Sequence, residues 1–293
     1  MANQKLEALR ARMAQEGMDA YMVPTSDFHE SEYVGEHFKA RSYLSGFTGS
    51  AGVCVVLKDE AELWTDGRYF IQAENQLRGT GIKLMKIAEP GVPTVEQFLA
   101  EKLPEGGCLG YDGRVVNTRT AQNLEKALAG RHARFAIDKD LVGEIWTDRP
   151  ALSAKPAFRL TDAQAGVTAK EKLALIRGDM AENGADVLLL PTLGEIAWLL
   201  NLRGGDVACN PVVLSYLSLT QDSAVLFANP AVFSPAVLEQ LEADGVSLRP
   251  YESVYSYVGR LTPSQRVMLD TRRINTTLLT SIPSHVSVMD RPN

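Results

Sequence analysis

Residues 13–25 read MAQEGMDAYMVPT and residues 180–192 read MAENGADVLLLPT, so one pattern occurs twice in the chain without a gap. In each copy a glycine separates apolar residues at helical spacing from a short apolar run that ends at a proline. Glycine is favoured where a helix ends in the left-handed conformation, and proline cannot donate to a sheet ladder. Each copy is therefore predicted to be a helix followed by a buried strand.

The apolar positions before each glycine support this prediction. They are Leu6, Leu9 and Met13 in the first copy, and Leu173, Ile176 and Met180 in the second. Spacings of three and four residues place them on one face of a helix. The strands predicted to follow cover residues 20–23 and 187–190.

The likeness between the copies continues beyond these strands. Residues 43–49 (YLSGFTG) and 198–204 (WLLNLRG) both read as a helix end that runs into a glycine turn. Further strands are predicted at residues 53–57, 62–65, 212–216 and 224–227. A helix before a strand, then neighbouring strands joined by short turns, indicates a mixed sheet. The predicted fold class is α/β, with two tandem domains that are each a mixed β-sheet flanked by helices.

A boundary between the copies is predicted near residue 160. Residues 151–160 (ALSAKPAFRL) carry a proline and several small residues, and Thr168 with Glu171 has the spacing of a capping box at the start of the second copy. The predicted domains are residues 1–160 and 161–293. A length of 293 residues suits two domains of ordinary size.

Composition excludes several classes of protein. The chain is 45% hydrophobic and 23% charged, with a formal net charge of −6, and its acidic and basic residues are interleaved. These values are typical of soluble globular proteins, and no basic stripe suggests a nucleic-acid partner. No apolar run approaches the ~20 residues of a membrane span, and charges occupy the amino terminus where a signal peptide needs apolar residues. We expect a cytoplasmic protein that binds neither nucleic acid nor membrane.

The cysteines predict no redox or metal chemistry. Cys54, Cys108 and Cys209 are far apart and form no C-x-x-C pair. The favoured interpretation is three buried free thiols in a reducing compartment.

Residues 27–37 (DFHESEYVGEH) suggest a metal site at first sight. A zincin helix needs two histidines at i and i+4 around a glutamate. Position 33 is a tyrosine, so His29 lacks its partner, and the inverted motif that ends at His37 fails at the same place. A polar loop and a helix start beside a cleft is the favoured interpretation.

Gly46, Gly49 and Gly52 are spaced three apart and precede the strand predicted at residues 53–57. A dinucleotide-binding loop follows its strand, so the order here is wrong for that function. The glycines instead predict a tight turn in which the backbone passes close to another segment.

Residues 65–70 (TDGRYF) are the most suggestive short stretch. They follow a predicted strand, at the end where open α/β sheets present side chains to ligands. Arg68 has three interpretations: a solvated surface charge, a partner of Asp66, or a planar fork for a ligand carboxylate.

Taken in order, these stretches resemble the N-terminal domains of the creatinase/prolidase/aminopeptidase P family, peptidase family M24. The resemblance is carried by residues 19–24, 27–33, Arg41, 43–52 and 63–70. Within that family the chain is most similar to the three-domain, cytosolic Xaa-Pro aminopeptidases. The likeness covers essentially the whole chain, including the duplicated second domain.

The resemblance implies that a third, C-terminal "pita-bread" domain carries the chemistry. In the family that domain holds two metal ions, Mn²⁺ or Zn²⁺, on two Asp, one His and two Glu, and they activate a water molecule. No stretch of residues 1–293 offers this ligand set, and the match ends just before that domain would begin. We therefore expect no catalytic residue, no metal site and no cofactor in this chain.

The family likeness also implies partners and a peptide-binding role. The N-terminal domains are expected to cap the cleft of the chain's own catalytic domain, restrict it to short peptides with proline at the second position, and contribute to a homodimer. Arg68 is implied to contact the bound peptide, and His29, Glu32 and Tyr69 are implied to line the same cleft.

The sequence is also compatible with two alternatives. One is a stand-alone, non-catalytic interaction module that kept the fold. The other is the N-terminal part of a prolidase or creatinase-type hydrolase. The duplicated second domain argues against the latter, because those relatives typically carry one N-terminal domain.

Overall fold

The computed structural model describes residues 2–292 as two compact units. The first unit comprises the chain up to Asp27 together with Glu36–Ala151, and the second comprises Phe28–Gly35 together with the residues from Leu152 onward. Phe28–Gly35 thus belongs to the second unit although it directly follows residues of the first in the chain. Each unit has its own six-stranded sheet and its own apolar core.

The first unit alternates helices and strands. Its helices are α1 (Ala2–Gln15), α2 (Ala40–Ser45), α3 (Phe70–Gln76), α4 (Val95–Lys102), α5 (Thr118–Leu128) and α6 (Leu141–Ile145). Its strands are β1 (Ala20–Pro24), β2 (Val53–Leu57), β3 (Ala61–Thr65), β4 (Lys83–Lys86), β5 (Cys108–Gly110) and β6 (Arg134–Ala136). Short 3₁₀ helices lie at Glu36–Phe38, Gly67–Tyr69 and Ala129–Arg131.

The first sheet is mixed, with the order β4-β3-β2-β1-β5-β6. Strand β2 is antiparallel to both of its neighbours, and the other adjacent pairs are parallel. The two faces of the sheet are covered by separate apolar clusters, one that includes α1 and α6 and one that includes α4 and α5. All strands of this sheet except β2 therefore run in the same direction. Their carboxyl ends lie at one end of the sheet, and that of β2 lies at the opposite end.

The second unit has the same kinds of elements. Its helices are α7 (Asp162–Ala165), α8 (Ala169–Glu182), α9 (Leu193–Leu199), α10 (Pro235–Ala243), α11 (Ser253–Val258) and α12 (Thr276–Thr280). Its strands are β7 (Phe158–Arg159), β8 (Val187–Leu190), β9 (Leu202–Arg203), β10 (Ser215–Leu219), β11 (Ala224–Ala228), β12 (Val246–Pro250), β13 (Arg266–Leu269) and β14 (Ser287–Asp290). A 3₁₀ helix lies at Pro230–Val232.

The second sheet repeats the topology of the first. Its order is β12-β11-β10-β8-β13-β14, and only β10 is antiparallel to its neighbours. Strands β7 and β9 form a separate two-stranded sheet. The equivalences β1 with β8, β2 with β10 and β3 with β11 follow from the two orders. The structure thus confirms the predicted α/β fold with two tandem mixed-sheet domains.

Several local contacts are also repeated. Lys5 donates its Nζ proton to the carbonyl of Tyr43 at 2.8 Å, and Lys172 donates to the carbonyl of Trp198 at 2.6 Å. Each ammonium lies over the ring of the same aromatic residue, 3.8 Å and 4.6 Å from its centroid. Such cation–π contacts tie α1 to α2 in the first unit and α8 to α9 in the second.

The predicted helix ends are confirmed. Gly17 and Gly184 have φ of 67° and 65°, in the left-handed region where an added Cβ is costly. Thr168 and Glu171 form the predicted capping box, since each side chain accepts from the other's backbone N–H. The glycine turn after α2 has Gly46 at φ 76°, and its counterpart after α9 has Asn201 at φ 51°, so the second copy uses asparagine in this conformation.

Two predictions were wrong in detail. The strand predicted at 212–216 begins at Ser215, because the backbone N–H of Leu214 donates to the carboxylate of Asp206 and that of Val212 to the carbonyl of Asn210. The apolar residues before Ser215 are buried in a loop. Cys54 and Cys108 are buried free thiols, whereas Cys209 is exposed.

None of the helices between residues 2 and 292 combines the length and the apolar composition needed to cross a bilayer.

Candidate functional site

The predicted site stretch lies at the end of β3 in the first unit. Asp66 caps the 3₁₀ helix Gly67–Tyr69 by accepting from the backbone N–H of Arg68 at 3.1 Å. The Nε and Nη2 atoms of Arg68 donate to the two oxygens of the same carboxylate, each at 2.9 Å. These hydrogen bonds from Arg68 hold the pKa of Asp66 below its ordinary value. The side chain of Arg68 stays 69% exposed, so the pair with Asp66 orients a guanidinium at the protein surface.

The second unit provides an internal comparison for this turn. After β11, the equivalent of β3, Asn229 caps the 3₁₀ helix Pro230–Val232 by accepting from the N–H of Ala231 at 3.0 Å. Ala231 therefore stands where the first unit has Arg68. Since the same turn forms with alanine, the fold does not require an arginine at this position.

Tyr69 is fixed by the glycine turn that precedes β2. Its hydroxyl lies 2.6 Å from Oγ of Ser50, and its ring meets the Phe47 ring edge-on with a centroid separation of 6.0 Å. The guanidinium carbon of Arg68 lies 5.3 Å from the centroid of the Tyr69 ring. A Cβ atom added to Gly49 would overlap the Phe47 ring and lie 2.9 Å from Cδ1 of Tyr69. The close approach predicted for this glycine turn is thus present.

Arg41 donates hydrogen bonds to the backbone of the same turn. Its Nε donates to Oγ1 of Thr25 at 2.8 Å, its Nη1 to the carbonyl of Phe47 at 2.5 Å, and its Nη2 to the carbonyl of Gly49. Burial of this side chain lowers the pKa of Arg41 to about 10, which leaves it protonated at neutral pH. Arg41 is therefore a buried cation that fixes the glycine turn against which Tyr69 packs.

His29 lies in the Phe28–Gly35 segment of the second unit and is fully buried. Its Nδ1 atom lies 2.8 Å from the carbonyl of Pro191, which only accepts, so Nδ1 carries a proton. Its Nε2 atom lies 2.6 Å from the hydroxyl of Tyr251, and its ring centroid lies 4.5 Å from that of Tyr216. The nearby backbone carbonyl of Phe28 accepts from Nδ2 of Asn275 at 3.0 Å.

The structure distributes the four predicted site residues between the two units. Arg68 and Tyr69 are neighbours in one turn of the first unit, and His29 and Glu32 share one segment of the second. Glu32 is exposed, in contrast to His29. The geometry thus defines one surface turn with an arginine and one buried histidine cluster.

Sequence reasoning missed a second repeated motif at the carboxyl ends of the strands. Residues 112–118 (DGRVVNT) follow β5 and residues 270–276 (DTRRINT) follow its equivalent β13. In both copies the arginine donates through Nε and Nη2 to the aspartate two residues earlier, at 2.8–3.0 Å. In both, the asparagine caps the next helix at 2.8 Å. Self-comparison by the spacing D-x-R-x-x-N-T would have found it.

This motif differs from the Asp66 turn because its aspartate–arginine pair occurs in both units. A pair that both copies keep at the same place is explained by the fold, because it closes the strand-to-helix connection in each unit. The pair of Asp66 and Arg68 occurs in the first copy alone at the end of its strand.

No group of three or more His, Cys, Asp and Glu side chains within residues 2–292 is arranged to hold a metal ion. The described residues therefore do not fit the five-ligand set that the family likeness associates with a metal pair.

Comparison with protein families accounts for both halves of the chain. Residues 5–140 match a model described as the creatinase/prolidase N-terminal domain, and residues 148–293 match a second model of the same description. The two matches correspond to the two copies of the sheet.

Individual relatives give the same result. Aminopeptidase P2 of Arabidopsis thaliana is 36% identical over 290 residues, which cover 97% of this chain and 41% of that protein. Xaa-Pro aminopeptidase 1 of Dictyostelium discoideum is 36% identical over 265 residues, which cover 87% of this chain and 42% of that protein. The chain thus spans about two fifths of the length of the curated relatives that it matches.

A solved structure is similar over nearly the whole chain. It is the X-prolyl aminopeptidase of Caenorhabditis elegans, described as a cytosolic enzyme with a di-nuclear active site. The sequence identity is 31%, the TM-score is 0.93, and the match covers 99% of this chain and 50% of that chain.

Proposed function

Since this chain belongs to the creatinase/prolidase N-terminal domain family, with one copy of that domain in each half, we propose that it is the non-catalytic N-terminal part of a Xaa-Pro aminopeptidase. The full-length protein would remove an N-terminal residue that precedes proline. The names of the Arabidopsis, Dictyostelium and Caenorhabditis relatives support this reading. The presence of two N-terminal domains supports it over a prolidase or creatinase-type hydrolase.

The role proposed for this part is to gate access of peptides to the catalytic domain, with Arg68 as its principal contact. The observation that carries the proposal is the internal comparison: Ala231 completes the same turn in the second copy, so Arg68 is not explained by the fold. An exposed arginine that is already oriented by a carboxylate loses little side-chain freedom when it binds a ligand.

Arg68 suits a peptide ligand because a guanidinium presents a planar fork to a carboxylate or a carbonyl oxygen. Tyr69 would border the same surface, held by Ser50 and by the ring of Phe47. Glu32 is proposed as a separate peptide contact, because it is an exposed carboxylate that can meet a peptide amino group. His29 would contribute indirectly, by holding the segment that carries Glu32.

The test is a kinetic comparison in the full-length enzyme. We expect Arg68→Ala to lower kcat/KM for short peptides with proline at the second position by roughly tenfold, as for loss of a hydrogen bond to a charged group. Arg272→Ala is the matched control, because Arg272 forms the same type of aspartate pair and is similarly exposed. Equal effects of the two substitutions, or none for Arg68→Ala, would count against the contact.

The metal chemistry belongs to the rest of the full-length protein in this proposal. The Caenorhabditis relative is described as a cytosolic enzyme with a di-nuclear active site. By analogy, we propose that the full-length protein binds two Mn²⁺ or Zn²⁺ ions and is cytosolic. A homodimer is proposed from the family likeness alone. Purified residues 1–293 should bind neither metal stoichiometrically after chelation and dialysis, and should leave Xaa-Pro peptides intact. Metal retention together with turnover would contradict the non-catalytic assignment and would favour a different reaction centre.

A further inference from the structure

A groove in the second unit has a filled counterpart in the first. It is a cavity of about 400 Å³ between α8, α9 and the carboxyl end of β14. Its lining includes Ile176, Asp179, Asn183, Leu188, Trp198 and Met268. Arg291 and Pro292 also border it, so the chain leaves β14 beside the groove. The floor is apolar and Trp198 is 51% exposed.

In the first unit the equivalent groove is occupied by α6. This short helix packs against α1 and α2, the equivalents of α8 and α9. Its side chains Leu141 and Val142 are buried in the same apolar cluster as Leu9. Trp146, which directly follows the helix, stacks on Tyr43 with a centroid separation of 4.5 Å and an interplanar angle of 12°.

The residues that hold α6 align one by one with those that line the open groove. The alignment of the two copies pairs Leu9 with Ile176, and a separate matching stretch pairs Tyr43 with Trp198. Leu9 is 0% exposed beneath α6, whereas Ile176 is partly exposed. The second unit therefore has the binding surface for such a helix, with about half of the Trp198 side chain exposed to solvent.

One charged position at the rim of the groove also corresponds between the two units, but the sign of its charge is opposite. In the first unit, Nε of Arg12 donates to the carboxylate of Glu144 on α6 at 2.6 Å. The position of Arg12 is occupied by Asp179 in the second unit. A helix bound in this groove would face the carboxylate of Asp179, whereas α6 faces the guanidinium of Arg12. A cationic side chain on that helix would pair with Asp179.

We propose that this groove receives a short amphipathic helix from the polypeptide that follows residue 293 in the full-length protein. The helix carries two aliphatic residues on its inner face, as α6 carries Leu141 and Val142, and a lysine or arginine opposite Asp179. In the first unit the chain leaves β6 and enters α6 within five residues, and Arg291 and Pro292 start along the same route after β14. The relatives above are at least about twice as long as the part that they share with this chain, which supplies the length required.

This inference rests on the proposed function only for the origin of the helix, because a full-length aminopeptidase would continue past residue 293. The chemistry of the groove is testable without that assumption. Residues 139–147 (KDLVGEIWT), which contain α6, are grafted after Pro292 with Glu144→Lys in the graft alone. The matched control graft has Leu141→Asp and Val142→Asp in the added copy.

The readouts are hydrogen exchange and thermal unfolding. The graft is expected to slow exchange in α8 and α9 and to raise the midpoint of the second unit by about 2–4 °C, and the control graft to do neither. Absence of protection by the apolar graft would overturn the chemistry assigned to the groove. Activity of the Arg68→Ala enzyme is unaffected by this outcome, so the two proposals fail separately.

The source is tested with the natural protein extended by about 20 residues past Asn293. Protection of α8 and α9 by that extension, lost when its aliphatic residues are changed to aspartate, is the expected result. Protection by the graft but not by the natural extension would overturn the assigned source. So would a concentration-dependent dimer of residues 1–293 that Trp198→Asp dissociates, because a second copy would then be the occupant.

Discussion

The Nε2 atom of His29 lies 2.6 Å from the hydroxyl oxygen of Tyr251, 222 residues further along the chain. Because Nδ1 must donate to the carbonyl of Pro191, a neutral His29 accepts at Nε2 from the tyrosine. One buried ring thereby joins the Phe28–Gly35 segment to two other parts of the second unit.

We predict that His29→Ala destabilises the second unit by about 2–4 kcal/mol, because it removes two buried hydrogen bonds and the ring contacts with Tyr216 and Tyr251. Glu32→Ala, on an exposed side chain of the same segment, should stay within about 0.5 kcal/mol. Urea unfolding followed by circular dichroism measures both. A His29 variant as stable as the Glu32 variant would refute the buried anchor.

The stability of the first unit is predicted to depend on pH through Glu62 in β3. Burial, followed by the nearby carboxylate of Glu60, raises the pKa of Glu62 to about 7 from an ordinary value of 4.5. The folded state then binds this proton more tightly than the unfolded chain, so the free energy of unfolding falls between about pH 4.5 and pH 7. Above pH 7 the loss is complete.

Glu62→Gln should therefore be more stabilising at pH 8 than at pH 4.5, by on the order of 2 kcal/mol. Thermal and urea unfolding at the two pH values test this. Glu60→Gln provides a second check, because removing the neighbouring charge lowers the pKa of Glu62 and weakens the dependence on pH. An unchanged pH dependence in Glu62→Gln would show that another group is responsible.

Gly49→Ala is predicted to destabilise the first unit by about 1–3 kcal/mol and to displace Tyr69. The added methyl group would overlap the Phe47 ring and crowd Cδ1 of Tyr69, and overpacking of this kind forces side chains to move. Gly130→Ala is the control, since nothing lies within 4 Å of a Cβ there. Comparison of the melting temperatures of the two variants, with quenching of tyrosine fluorescence as a second signal, distinguishes them.

Arg68→Ala and Asp66→Ala should affect stability differently. Asp66 caps the turn, and loss of such a cap costs about 1 kcal/mol. Arg68→Ala should cost less than about 0.5 kcal/mol, because Ala231 completes the same turn in the second unit. Chemical unfolding of residues 1–293 measures both. A large loss for Arg68→Ala would mean that the arginine serves the fold and not a ligand.

Periodicity in the sequence predicted most of the fold, because the decisive signals are local. Gly17 and Gly184 end their helices, and the apolar runs that follow them in sequence form the central strands β1 and β8. The strand predicted from Val212 was wrong because an apolar run only reports burial. Its backbone groups bond instead to Asp206 and Asn210.

The candidate site was predictable in part. The stretch around Asp66 and Arg68 is continuous in sequence, so its turn could be predicted, whereas the pair with Asp66 was only one of three interpretations of Arg68. The surroundings of His29 were not predictable, because they depend on contacts with Pro191 and Tyr251 that lie 162 and 222 residues away. No local pattern near His29 encodes those partners.

Two sheets of one topology in a single chain also create a hazard during folding, because a strand of one copy has the right length and direction for the other. The central strands differ in a way that opposes such an exchange. In β1 the Tyr21 hydroxyl donates to the carbonyl of Lys139 at 2.6 Å and accepts from the N–H of Leu141 at 3.0 Å. The equivalent residue in β8 is Leu188, which has no hydroxyl to make these bonds. Placing β8 in the first sheet would bury those two backbone groups unpaired, so divergence between the copies protects the first sheet from incorporating the strand of the second.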